Sequence, residues 1–322
     1  MIIAHHFAVH GGFNFPTDSV TGNRLWQQFI SMGGYLGNDI FVLISGYFLI
    51  KSDDIKVSKI FALWLKVFFY SVVIFAVFTF SGLYVFSWKE TISYFLPITR
   101  VKWWFASTYF VLYLIHPYLN ILLRNFSRDE YKKFLMLMFL YWSIIPTFLI
   151  TSFCGSNLVN FMCLYSLAGY VQLWGKDFVN KKFICYGIGF IAINFLSAIV
   201  FDFIGIKISA FGKNAMYFSD NMMRPFTLLA TLCLLVGFKT LKIKSGLINI
   251  LASATFGVYL IHDNNLVRPF LWRVVFKNAS FQNSPYLIPY SIGVVILVYV
   301  ACTAIEILRS KIFKIISCSK LS

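Results

Sequence analysis

The chain has 322 residues, of which 59% are hydrophobic, 20% aromatic and 12% charged. A soluble domain carries about 25% charged residues, so this composition excludes a soluble enzyme, a disordered chain and a secreted disulfide scaffold. The 28 Lys and Arg outnumber the 12 Asp and Glu for a formal charge of +16; they fall in short loops between apolar runs, where they orient spans instead of binding nucleic acid.

In chain order, Met1 to about His10 is apolar but too short to cross a bilayer. It has neither the charged leading region nor the small-residue cleavage site of a signal peptide, and reads as the outer end of a helix. Nine further apolar runs follow, at about 33–50, 60–86, 103–122, 134–151, 158–175, 183–205, 224–242, 247–267 and 286–307. Each approaches the roughly 20 residues that a spanning helix needs. The pattern predicts an all-α fold, a polytopic transmembrane helix bundle of about ten spans with the first one incomplete. It predicts a single membrane-embedded domain over 1–322, with no soluble domain. The loops 11–32 and 206–223 hold Gly, Asn, Ser and Asp, as ordered turns do. Six cysteines without CxxC spacing argue against a zinc site and a disulfide framework.

Lys and Arg counts set the expected orientation. With the first partial helix running outward, the inner segments 51–59, 123–133, 176–182, 239–246 and the C-terminus from Arg309 carry 17 Lys and Arg. The outer segments 11–32, 87–102, 152–157, 206–224 and 268–285 carry 10. Lys66 lies inside a span near its inner end, where its stem can snorkel. The bias predicts both termini in the cytoplasm.

A titratable side chain in a span costs about 2.5–3.5 kcal/mol on insertion scales, so each is a functional candidate. The sequence offers His5, His6, Asp39, His116, Asp202, His262 and Asp263, and all but His116 fall toward the outer side. Imidazole titrates near neutral pH and a carboxylate can orient or stabilise it, which suits proton transfer. Plainer readings stand beside these. Asp39 after Gly37-Asn38 fits a helix cap, His262-Asp263 and Asp202 fit helix ends, and His116 before Pro117 fits an interior histidine. His6 and His10 at i, i+4 imitate a metal pair, but no third ligand follows at a suitable spacing, so no metal is expected. Ser45-Gly46 allows a close helix approach. Trp103 and Trp104 suit either sugar stacking or an aromatic belt.

Together these residues are more specific than any one of them, and they resemble the acyltransferase 3 family of bacterial membrane O-acyltransferases, which modify surface glycans. Met1-Ile-Ile-Ala-His-His6-Phe7 is similar to the end of the family's first-helix motif, an Arg, ten residues and a His. Gly37-Asn38-Asp39-Ile40-Phe41-Val42-Leu43-Ile44-Ser45-Gly46-Tyr47 is similar to its second-helix pattern Gly-x-Asp-x-Phe-Phe-x-x-Ser-Gly-Phe. Tyr259-Leu260-Ile261-His262 matches a late element, and Trp104-Phe105 through Pro117-Tyr118-Leu119-Asn120 has the family's look. The motif Arg would fall eleven residues before His6, upstream of Met1, so the resemblance implies an N-terminally truncated first helix. Where relatives carry an Arg-rich motif before the third helix, this chain has Lys51, Lys56, Lys59 and Lys66, which lack arginine's bidentate fork.

The resemblance implies acyl transfer, most simply acetyl, from cytoplasmic acyl-CoA to a hydroxyl of a surface polysaccharide or lipid-linked glycan. His6 is the expected base and Asp39 its orienting carboxylate. His5, Ser45, His262 and Asp263 are second-tier catalytic or acceptor-side candidates. Lys59 and Lys66 are expected to attract the donor's phosphates, and Trp103 and Trp104 to stack on the acceptor. No cofactor beyond the acyl-CoA substrate is expected, and no nucleic-acid partner. The setting implied is a bacterial plasma membrane, with any extracytoplasmic esterase-like partner a separate chain. A transporter or flippase, and an inactive truncated relative, are the alternatives.

Overall fold

A computed structural model describes residues 1–151, 155–177 and 180–318. Among the described residues the chain is helical and contains no strand. It divides into two compact units: Met1 with 15–62 and 104–242, and 2–14 with 63–103 and 243–322.

The first unit holds α2 (Gly22–Ser31), α3 (Gly33–Leu49), α6 (Trp104–Asn125), α7 (Arg128–Phe139), α8 (Ile145–Phe148), α9 (Asn157–Trp174), α10 (Lys182–Gly205), α11 (Ser209–Lys213) and α12 (Pro225–Phe238). Here α3 packs on α9 and α12, α10 on α12, and α6 and α7 on α9. Gly46 explains the α3–α9 seam: a Cβ there would lie 2.9 Å from Tyr165 Cα and 3.0 Å from its carbonyl oxygen. Backbone cannot yield to a side chain, so the sequence needs glycine for helices to approach this closely. Asn120 then ties the helices at one end. Its amide donates to the carbonyls of Leu49 and Ser52, both at 2.8 Å, and accepts the Tyr165 hydroxyl at 2.6 Å. Leu49 closes α3, so Asn120 satisfies a carbonyl that the helix end leaves open.

The expected run at 134–151 begins earlier and is broken. Ser127 and Glu130 form a reciprocal capping box that starts α7 at Arg128, and a π-helical stretch, Leu140–Ile144, separates α7 from α8. The loop 11–32 contains α2, whose N-cap Thr21 accepts from the Arg24 amide at 3.2 Å.

The second unit holds α1 (Ile2–His10), α4 (Val57–Phe80) from Leu63 onward, α5 (Trp88–Phe95), α13 (Gly246–His262), α14 (Val267–Pro269) and α15 (Leu287–Cys318). A π-helical segment, Phe270–Val275, follows α14. The pairs α13–α15, α1–α15 and α1–α13 form its core. Phe7 is buried against the edge of Trp272, with ring centroids 6.0 Å apart. α4 stops at Phe80 although the apolar run continues to 86, because Gly82 takes a left-handed φ of +71° that helix cannot contain.

Every apolar run of the sequence is helical over most of its length, though not all the helices are long. Among the described residues, four helices are long and apolar enough to cross a membrane: Val57–Phe80, Trp104–Asn125, Lys182–Gly205 and Leu287–Ile315. The pair Gly246–His262 and Val267–Phe281 makes a fifth if read as one span, bent by 87°.

Candidate active site

The site in the second unit is built where α13 ends. Ser245 caps its start by accepting from the Ile248 amide, and the apolar run carries the helix to His262. Asp263 is the C-cap residue, and Asn264 turns the chain by accepting from the Leu266 amide at 2.9 Å. A helix end at a sharp bend thus holds two adjacent polar side chains in the buried interior. α1 supplies the third. His6 lies on the same helix face as His10, with ring centroids 5.2 Å apart, and its ring lies 5.0 Å from that of His262.

The hydrogen bonds determine the tautomers. His262 Nδ1 is 2.6 Å from the Val258 carbonyl oxygen, which can only accept, so the proton sits on Nδ1. His262 Nε2 is then the acceptor of the neutral ring. It lies 2.9 Å from His6 Nδ1, which must therefore donate. That leaves the lone pair of neutral His6 on Nε2, 3.4 Å from Asp263 Oδ1. A proton gained at Nε2 creates an imidazolium facing a carboxylate. Arg268 holds that carboxylate: its Nε is 2.9 Å from Oδ1 and its Nη2 donates to the Asp263 carbonyl at 3.1 Å. The unit thus contains a base of defined tautomer, an acceptor that orients it and an anion that stabilises its protonated form.

His6, His10 and Asp263 also place one ligand atom each within 4.8 Å of one another. Asp263 is the third ligand that sequence spacing did not supply, since it lies far along the chain. The guanidinium of Arg268 already occupies the cationic position on the same carboxylate oxygen.

The other predicted residues are placed as follows. His5 is half-buried, its ring 5.3 Å from that of His6. Asp39 belongs to the first unit, within α3, and is fully buried. Neither of its carboxylate oxygens is hydrogen-bonded among the described residues. The Thr231 hydroxyl lies beside the carboxylate, within reach of a looser hydrogen bond, but donates to the carbonyls of Thr227 and Leu228, both at 3.0 Å. Asp39 lies mid-helix, so it is not the cap its sequence context allowed. Ser45 donates to the Phe41 carbonyl at 2.9 Å within its own helix. Trp103 is buried, and Trp104 packs edge-on against Phe105 and Phe161. Lys59 is exposed.

Lys66 is paired with Glu306 at 3.0 Å. The same carboxylate accepts from Tyr70 at 2.6 Å and Arg309 at 2.7 Å. Glu306 is absent from the sequence candidates although it is a carboxylate within the last apolar run, the signal that flags the others. Asp202 is a structural anchor. Arg24 clamps it through Nε at 3.0 Å and Nη2 at 2.6 Å, and donates also to the carbonyls of Pro16 and Gly212.

Comparison with curated proteins and with solved structures gives no match. A family model described as an acyltransferase domain matches residues 1–305, essentially the whole chain. The chain therefore belongs to the acyltransferase 3 family, and is a helical membrane protein with the acyltransferase activity that this family implies.

Proposed function

We propose that the chain transfers an acyl group, acetyl in the simplest case, from acyl-CoA to a hydroxyl of an extracytoplasmic or lipid-linked glycan. One observation carries this reading: the chain of contacts from Val258 through His262 to His6 leaves Nε2 as the basic nitrogen, beside Asp263. His6 Nε2 takes the proton of the acceptor hydroxyl as its oxygen attacks the thioester carbonyl. The bond from carbonyl carbon to sulfur breaks, CoA leaves as thiolate, and the proton passes from His6 to the sulfur. Asp263 stabilises the intervening imidazolium; Asp39, a buried carboxylate of the first unit, is a separate candidate for a part in transfer. No cofactor beyond the acyl-CoA takes part.

The charge bias and the nine apolar runs support ten spans in one membrane-embedded domain. They support both termini in the cytoplasm of a bacterial plasma membrane, with the basic inner loops drawing the donor's phosphates from that side. The His6–His262–Asp263 cluster then belongs to the outer side with the acceptor, and a separate extracytoplasmic protein is the natural partner.

The test uses membranes containing the full chain, labelled acetyl-CoA and envelope glycan. Labelled glycan should form, and His6→Ala should abolish it. Equal labelling by both proteins overturns the catalytic assignment. Movement of glycan across the membrane without consumption of acyl-CoA identifies a transporter.

A further inference from the structure

The first unit contains a cleft of about 460 Å³, lined by polar and apolar groups together, that the transfer chemistry does not use. Its walls come from four places: the π-helical stretch and α8, the chain leading into α9, the first turn of α9, and the segment 217–224. The volume falls within the about 300–1,000 Å³ of small-molecule sites.

Two aromatic residues and a set of amides line it. Trp142 sits in the π-helical stretch, a distortion that turns side chains off the regular helical positions and recurs at functional sites. Its indole Nε1 is buried, yet has no hydrogen-bond partner among the described residues. Leaving a buried donor without a partner is costly. Tyr217 is held on two sides: its hydroxyl donates to the Thr147 carbonyl at 2.5 Å, and the Arg224 guanidinium lies 3.7 Å from its ring centroid. Arg224 is itself held by Asp220, which accepts from Nε at 2.8 Å. Asn157 and Asn160 contribute side-chain amides, and among the described residues Asn221 uses only its Oδ1, which accepts from the Met223 amide at 2.9 Å.

This lining selects among ligand classes. An apolar acyl chain would strand the amides. A nucleotide or free phosphate wants several cations, and here the one lining guanidinium is already half neutralised by Asp220. A pyranose fits both features. It has a face of C–H groups that packs on an aromatic ring, and a rim of hydroxyls that donate and accept in pairs. The Asn amide also offers one acceptor and two donors.

We infer that the cleft lined by Trp142, Tyr217, Asn157, Asn160, Asn221 and Arg224 is a saccharide-binding site. Trp142 stacks on the sugar face, and the asparagines read the hydroxyls. Its lining residues Gly155 to Asn157 and Tyr217 to Arg224 fall in stretches that the charge bias assigns to the outer side, so the sugar enters from outside the cell. The inference requires sugar binding alone. Only the further step, that the bound sugar is part of the acceptor, rests on the transferase reading.

The experiment uses the full chain in lipid nanodiscs and saturation-transfer NMR with the methyl pyranosides of glucose, N-acetylglucosamine, rhamnose and glucuronic acid. Glycerol 1-phosphate serves as the lipid-headgroup probe. At least one pyranoside should receive saturation from the protein. Trp142→Ala should weaken that binding at least tenfold, and Asn157→Ala and Asn160→Ala severalfold. If Trp142→Ala does not fold, the two asparagine variants carry the test. Absence of binding by every pyranoside overturns the inference. So does binding that the cleft variants leave unchanged, or preferential binding of glycerol 1-phosphate. Loss of transfer with sugar binding intact breaks the transferase reading and leaves the cleft standing.

Discussion

His6 and His262, 256 positions apart in the chain, are joined by a 2.9 Å hydrogen bond from Nδ1 to Nε2. Because Val258 fixes the tautomer of His262, this bond also fixes that of His6. Replacing His262 therefore tests orientation and not proton transfer itself. His262→Ala should lower kcat about tenfold to a hundredfold, less than the 10²–10⁴-fold typical of a lost general base. His262→Gln should recover part of the loss, since its amide oxygen can accept from Nδ1. Steady-state kinetics of the variants measure this, and equal loss in His262→Gln and His262→Ala would contradict it.

Asp263 faces the nitrogen that becomes charged. Asp263→Asn should reduce kcat about a hundredfold while leaving KM for acyl-CoA near its wild-type value, because the lost interaction exists mainly in the transition state. The Arg268 guanidinium loses its counter-ion in the same variant, so adding Arg268→Gln should restore thermal stability without restoring kcat.

Asp39 is buried with both oxygens unpartnered among the described residues. Burying a carboxylate without partners is costly, so Asp39→Asn should leave the melting temperature unchanged or raise it, while transfer falls. A drop in melting temperature matching the loss of activity would make Asp39 a structural group.

The Arg24–Asp202 clamp gives the opposite expectation. Removing one partner strands the other in the interior, at a cost of about 3–5 kcal/mol. Asp202→Leu should lower the melting temperature sharply, and Arg24→Met with Asp202→Leu should recover much of it. Thermal unfolding of the single and double variants decides this, and additive losses would rule it out.

Much of the architecture is legible in the residues. Most of each apolar run is helix because a long, weakly charged segment must satisfy its backbone away from water, and a helix does so within the segment. What periodicity did not show were the breaks. The π-helical stretch at Leu140–Ile144 and the bend after His262 occur inside apolar stretches, where hydropathy is blind to backbone geometry. The site was legible in part. His6, His262 and Asp263 stand out as titratable groups in apolar surroundings. Asp263 ranked below Asp39 because sequence distance hides that it meets His6 Nε2. Glu306 was visible by the same criterion, and its role as partner of Lys66, Tyr70 and Arg309 appears once α4 and α15 are placed within their unit.

By itself, the sequence determined a helical membrane protein, the acyltransferase 3 family and the few residues able to move a proton. These follow from composition, apolar run length and local motifs, which are properties of neighbouring residues. Tertiary structure decided which nitrogen of His6 keeps its lone pair, which carboxylate faces it and which walls make the Trp142 cleft. Those are relations between residues far apart in the chain, and only packing brings them within hydrogen-bond range.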